Sequence, residues 1–381
     1  MEACCPAIIL LPMNEAQLLH HLALTMVPQI GDVQIGILLQ HFEEPAAVFR
    51  AGRKALESIP GIGSVRASAI RNFSSRQRVE KELAFVQDNK IEVLVKGHEG
   101  YPPKLEHCSD APHVLFYKGT VPLKKQRIIS IVGTRSPTPY GKDRVAELIS
   151  ALALYDPLVV SGLAYGIDTL AHKEAMKHDL ATIGVLGHGL DKIYPHANRG
   201  LAADMVQHGG LLTEFMQGTK PEKQNFPRRN RIVAGMADAV IVVESGTKGG
   251  SLITADIANS YNRDVLAYPG RATDFSSMGC NRLIGSNKAN LMTCGQDLIE
   301  FMNWQGCSPQ TPSLQKDLLS ELNEEERQII LLIAEHEPCA IDLLTGISSL
   351  KPSTISSLLL LLEMKGLVTV LPGKLYSVAP L

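Results

Sequence analysis

Hydrophobic positions along the chain follow three patterns. From Arg127 to about Phe301, short apolar runs alternate with segments of helical periodicity. The runs are Ile128–Val132, Leu158–Val160, Thr182–Leu186, Gly210–Thr213, Ala239–Val243 and Val265–Ala267. Such runs read as buried strands, and the 3.6-period segments between them as helices. The alternation predicts an α/β fold, a mostly parallel sheet with helices on both faces.

Ahead of this region, residues 14–72 are helical in pattern and self-similar. Val27-Pro28-Gln29-Ile30-Gly31 precedes one apolar-periodic segment and Ile59-Pro60-Gly61-Ile62-Gly63 another. Two such turns resemble paired helix-hairpin-helix units, whose Gly-rich turns let backbone N–H groups approach a DNA phosphate. A plain helical bundle with Pro-Gly turns explains the same pattern, since beyond Arg66 and Arg71 the hairpins are poor in basic residues. Residues 76–126 form an ordered lead-in: a charged helix from Arg76, a strand at Ile91–Val95, then Val114-Leu115-Phe116-Tyr117. Beyond the central region, 303–320 is Ser/Pro/Gln-rich and reads as a linker. Residues 321–381 hold three helical segments and a hairpin around Pro372-Gly373, in the manner of a winged helix. The expected domains are therefore 1–75, 76–126, 127–302 and 321–381, with the linker before the last.

The most informative stretch is IISIVGTRSPTPYG, Ile128–Gly141. A strand feeds the small-residue turn Gly133-Thr134-Arg135-Ser136, and a helix opens near Tyr140. Such a turn aims backbone N–H groups at a ligand, and Arg135 adds a forked donor suited to phosphate. The other predicted strands end alike, in Ser161-Gly162, Gly187-His188-Gly189, Glu214, Glu244-Ser245-Gly246 with Lys248-Gly249-Gly250-Ser251, and Pro269-Gly270-Arg271. In a parallel sheet these ends share one edge, where ligands bind. They describe a phosphate-binding rim.

The densest basic cluster lies between the fourth strand and the next helix: Lys220, Lys223, Arg228, Arg229 and Arg231, with Phe226 among them. Phosphate neutralisation with base stacking calls for that mixture, because an aromatic face holds any base. Arg229 or Arg231 also suits an internal brace to Glu214 or Glu244. Lys248, Arg263, Arg271, Arg282 and Lys288 are expected around the same rim.

Composition narrows the classes. The 381 residues carry a formal charge of −2, with 45% hydrophobic and 20% charged content. The chain is globular, and a polyanion site must be a local patch on a near-neutral body. Seven cysteines without a C-x-x-C pair suggest neither zinc ribbon nor disulfide scaffold, which suits a reducing cytoplasm. The start, MEACCPAIILLPM, has no basic residues ahead of its apolar run, so it does not read as a signal peptide, and no stretch is long enough to span a bilayer. Neither a dinucleotide fingerprint nor a P-loop survives: Gly187-His188-Gly189 lacks its third glycine, and Gly141-Lys142 lacks both the preceding glycine and a following Ser or Thr. Asp168 and His172, one helical turn apart, read as ties between a helix start and its loops. No metal site, cofactor or catalytic nucleophile is expected.

IVGTRSPTPYG, VVSGLAYGIDTLAH, TIGVLGHGLDKIYPHAN, NFPRRNRIVAGMADAVIVVES, GGSLITADIA and YPGRATDFSSMGCNRLI together resemble the DNA-processing protein A (DprA/Smf) family, in order and spacing, over about residues 90–300. The resemblance implies an extended Rossmann-like, doubly wound domain that forms a homodimer, flanked by a helical (helix-hairpin-helix or SAM-like) region and a winged-helix-like domain. It implies a protein that binds and protects single-stranded DNA and loads the RecA recombinase during natural transformation. Its DNA-contacting positions fall here on Gly133, Thr134 and Arg135, on Lys223 and Phe226, and on Gly162, Gly249, Gly250 and Ser251. A different class stays open, a nucleotide-metabolising hydrolase of the phosphoribohydrolase type, in which Glu244 beside Lys248–Ser251 would matter. The winged-helix region departs from a duplex reader, because its third helix shows Ser and Leu where a groove reader carries Arg or Asn.

Overall fold

The computed structural model describes residues 14–304, 323–335, 339–348, 350–365, 367–371 and 375–378. The N-terminal apolar run, most of the expected linker and the Pro372-Gly373 turn lie outside these residues. The described residues form two compact units, one up to residue 304 and one from residue 323.

In the first unit, α1 (Glu15–Met26), α2 (Asp32–Phe42), α3 (Pro45–Arg50), α4 (Arg53–Glu57) and α5 (Gly63–Arg71) surround a small apolar core. Arg66 donates to Gln29 O (3.1 Å) and to Gly61 O (2.6 Å), joining the two Pro-containing turns noted in the sequence. α6 (Arg76–Asp88) leads to β1 (Glu92–Val95), α7 (Pro103–Glu106) and β2 (Val114–Gly119).

The central region then runs β3 (Ile128–Val132), α8 (Pro139–Leu152), β4 (Leu158–Ser161), α9 (Ile167–Lys177), β5 (Thr182–Val185), α10 (Arg199–His208), β6 (Gly209–Thr213), α11 (Asn225–Met236), β7 (Ala239–Val242), α12 (Gly250–Ser260), β8 (Asp264–Ala267), α13 (Met278–Gly285), β9 (Asn290–Leu291) and α14 (Gly295–Phe301). Among the described residues these strands build a nine-stranded sheet in the order β1-β2-β6-β5-β4-β3-β7-β8-β9. Strands β3 to β9 pair in parallel, whereas β2 joins β6, and β1 joins β2, antiparallel. The lead-in is thus an extension of the sheet itself.

Alternate residues of each inner strand enter different cores. Ile128, Val132, Val160 and Val242 pack under α11 and α12, while Ile129, Ile131, Val159 and Ile241 pack under α8, α9 and α14. Burial on both faces is why these strands read as near-continuous apolar runs. From β3 the chain winds outward to β6, and α11 then carries it back across to β7. The order therefore reverses between β3 and β7, and a doubly wound sheet opens its ligand crevice at that point.

The second unit contains α15 (Glu324–Glu335), a short strand at Cys339–Ala340, α16 (Ile341–Ile347), α17 (Pro352–Met364) and the antiparallel strands Val368–Leu371 and Leu375–Val378. This is the winged-helix order. Ser356 and Ser357 of α17 donate back to the Pro352 and Ser353 carbonyls, and Leu360 beside them is exposed. Among the described residues no helix is long and apolar enough to cross a membrane.

Candidate functional site

The crevice between the ends of β3 and β7 holds a cleft of about 790 Å³. Its floor is the turn after β3, with Gly133, Thr134 and Arg135. Thr138 accepts from Gly141 N to cap α8, and its own N–H and hydroxyl donate to the two oxygens of Glu244 at 2.9 and 2.6 Å. A Cβ on Gly141 would fall on that carboxylate. Glu244 is 1% exposed and faces away from the cleft.

One side wall comes from β4 and α9. Gly166, at φ 83°, caps α9, and Ile167 N donates to Thr134 O at 3.1 Å, locking this loop to the Arg135 turn. Any Cβ at Gly166 would land on the Thr134 carbonyl and the Arg135 backbone. Asp168 accepts from Gly162 N and Ala164 N, while His172 meets the Thr182 hydroxyl at 2.7 Å. Both tie the helix to its neighbours as expected. Burial raises the Asp168 carboxyl, against the pull of Arg229 and the two amides.

The opposite wall is α11, and its helical geometry sorts the basic cluster. Phe226, Arg229, Asn230 and Val233, spaced i, i+3, i+4 and i+7, line the cleft. Arg228 and Arg231 lie on another face of the helix. Arg231 donates to Glu214 (2.7 Å) and to Asp32 (3.0 Å), and Arg228 reaches Glu214 at 2.6 Å. Burial raises the Glu214 carboxyl and the two arginines oppose it. Asp32 opens α2, so this cluster fastens the N-terminal helices to the sheet. The first Pro-containing turn thus leads into a helix whose first carboxylate is committed to Arg231 and to His113 N.

Arg229, although it borders the cleft, is 5% exposed and donates to the carbonyls of Gly162 (2.5 Å) and Val185. Desolvation lowers its pKa to about 10, so it stays charged at neutral pH. A side chain on Gly162 would strike this guanidinium. Of the three arginines expected at the DNA, Arg231 makes instead the brace to Glu214 that the sequence also suggested, Arg229 pins the loops that shape the cleft, and Arg228, half exposed, reaches Glu214 and does not line the cleft. Arg263 and Lys288 are corrected as well. Each precedes a strand and so sits at the other end of the sheet, where Arg263 donates to the carbonyls of Lys104 and Gly235 and Lys288 pairs with Asp256.

The remaining candidates converge. Gly133, Thr134, Arg135, Gly162, Lys223, Phe226, Lys248, Gly249, Gly250 and Ser251 all line the cleft. Arg135, Lys223 and Lys248 are exposed and, among the described residues, paired with no carboxylate. The Arg135 guanidinium lies 6.0 Å from the Phe226 ring centre. Gly249 is the N-cap of α12 and has no side chain to cap it, so the first amides of the helix are left for an anion. Ser251 donates to the Ser245 hydroxyl at 2.9 Å and holds the two loops together.

Sequence reasoning missed two aromatic residues here. The Tyr194 ring lies 6.0 Å from that of Phe226, and its N–H donates to His188 Nε2. Phe275 closes the far end of the cleft. Each is an aromatic in a loop beyond a strand end, without the basic cluster that marked Phe226.

Comparison with known proteins decides the family. Residues 92–303 match the model of the DNA recombination-mediator protein A family, and 311–374 match the DprA winged helix domain. The chain belongs to the DprA/Smf family. Protein Smf of Synechocystis is 33% identical over 96% of this chain and 100% of its own length. DprA of Streptococcus pneumoniae, as a solved structure, has a TM-score of 0.64 at 33% identity, covering 74% of this chain and 95% of its own. A second solved DprA, from Helicobacter pylori, was studied for its single-stranded DNA binding mode. It has a TM-score of 0.51 at 30% identity, covering 56% of this chain and 95% of its own.

Proposed function

We propose that the cleft holds single-stranded DNA without sequence preference. The observation that carries this reading is the gathering of Arg135, Lys223 and Lys248, exposed and, among the described residues, paired with no carboxylate, in one cleft with the Phe226 ring. Phosphates take the three cations and the α12 amides, and a base stacks on Phe226, which reads no base edge. The H. pylori relative, studied for binding such a strand, supports the assignment. Glu244, on which a hydrolase reading depends, is buried, accepts from Thr138 through both oxygens and does not line this cleft.

Each protomer offers few contacts. Affinity then comes from a homodimer through the Rossmann-like domain, which engages one strand twice and gains by effective concentration. In the cell the bound strand is protected and handed to the RecA recombinase. The function tested first is loading: wild type shortens the lag before RecA covers a strand, and Phe226→Ala does not. Equal lags with and without wild-type protein contradict the mediator role, while strand binding by anisotropy tests the cleft separately.

A further inference from the structure

Phe275 does not only close the first cleft. It is also the near wall of a second cleft of about 820 Å³, formed by the loop after β8 and the start of α8. At 70% exposed it is the most solvent-open large apolar side chain among the described residues. A single exposed phenylalanine is ordinary on a mobile loop, but this one is held. The turn Phe275–Ser277 is stitched to the end of β7 by Ser245 N donating to Ser276 O and Gly279 N donating to Ser245 O, both at 2.8 Å. The edge of the ring rests on Gly246, where a Cβ would approach within 2.8 Å. The rest of the ring is largely exposed. A ring held at one edge and otherwise exposed is a stacking platform.

The second cleft continues the chemistry of the first. Arg271 is exposed and, among the described residues, pairs with no carboxylate. Asn281 grips Gly270 beside it, accepting from its N–H and donating to its carbonyl at 3.1 and 2.9 Å, which anchors the loop at the residue before Arg271. Tyr140 donates its hydroxyl to Pro269 O and leaves its ring 40% exposed. Of the two carboxylates lining this cleft, Glu244 is buried on Thr138 and Asp274 is exposed. Asp274 repels phosphate and directs a polyanion toward the Arg271 side.

We propose that this is an exit lane for the same single strand: a base leaving the first cleft stacks on Phe275, and the next phosphate lies on Arg271, with Tyr140 beside it. The lane rests on the reading of the first cleft given above. It lengthens the site on each protomer and gives it two aromatic steps, Phe226 and Phe275, either side of the β3–β7 crevice.

The test is anisotropy of labelled oligo-dT of about four and about twelve nucleotides, within the range of single-strand site sizes. The full chain is compared with Phe275→Ala, Arg271→Ala and Lys223→Ala. Both lane positions are exposed, so these variants are expected to fold, and their thermal transitions are checked. The expected result is that Phe275→Ala and Arg271→Ala each lose at least about fivefold for the longer strand and little for the shorter, while Lys223→Ala loses for both. Arg271→Ala also lowers the salt slope for the longer strand. In Phe275→Trp, the longer strand quenches the indole fluorescence and the shorter does not. Wild-type affinity for the longer strand in both lane variants, with Lys223→Ala impaired, overturns the lane and leaves the first cleft standing. Absence of wild-type binding to either length overturns both.

Discussion

Arg231 donates to Glu214 across 2.7 Å with both side chains nearly out of solvent, at 9% and 2% exposure. Because Arg231 also reaches Asp32 at the start of α2, this pair joins α11, the end of β6 and the N-terminal helices. Its place in the RRNR run made it look like a phosphate ligand, yet the helix turns it away from the cleft.

Arg231→Ala is therefore expected to act on stability. Removing one partner leaves the buried Glu214 charge with Arg228 alone, a loss of about 2–4 kcal/mol. Chemical denaturation reads this as a lower midpoint with an unchanged slope. Unchanged stability together with lost affinity for a single strand would instead place Arg231 on the DNA.

Gly166 controls the Arg135 turn. Gly166→Ala imposes a left-handed φ on a side chain and drives its Cβ into the Thr134 carbonyl. The strain amounts to about 1–2 kcal/mol before the clash is counted. The variant should melt earlier and also lose oligo-dT affinity, the loss expected of Arg135→Ala. Gly218→Ala, at φ 82° with open space around it, is the control and should lose stability alone.

Acid should loosen the seam between α1 and the sheet. His21 Nδ1 meets His113 Nε2 at 2.9 Å, with His98 edge-on to His21. Burial, then the neighbouring imidazoles, lower His21 to about 3; burial, then His98 and Lys96, lower His113 to about 4. Unfolded, both titrate near 6.5, so below that pH the unfolded chain binds more protons and stability falls. The contribution is complete above pH 6.5 and shrinks by up to about 1.4 kcal/mol per pH unit for each imidazole down to their folded values. Urea midpoints between pH 7 and 4 should fall in wild type and fall less steeply in His113→Gln. Parallel slopes in the two would assign the acid sensitivity elsewhere, with the buried His172 next in line.

Much of this was legible in the sequence because local periodicity and strand ends follow directly from it. β3 to β8 appeared as apolar runs, and loops that follow parallel strands necessarily share an edge. The same logic applied to residues that precede strands places Arg263 and Lys288 at the opposite end. What sequence proximity obscured was direction: Arg228, Arg229 and Arg231 are neighbours in the chain but point to different surroundings, since each helical residue turns the side chain by about 100°. β9, with two residues, has no pattern to read. The antiparallel attachment of β1 and β2 is set by long-range pairing with β6. Phe275 carried no periodic signal, and only the glycine beneath it shows why its ring is fixed.

The most direct test of the account is the salt dependence of oligo-dT affinity for wild type, Arg135→Ala and Lys223→Ala, measured by anisotropy. If the cleft is the DNA site, all three stay folded, both variants bind more weakly, and each lowers the slope of log affinity against log salt by about 0.7, the loss of one phosphate contact on a single strand. Three superimposable salt curves would contradict it.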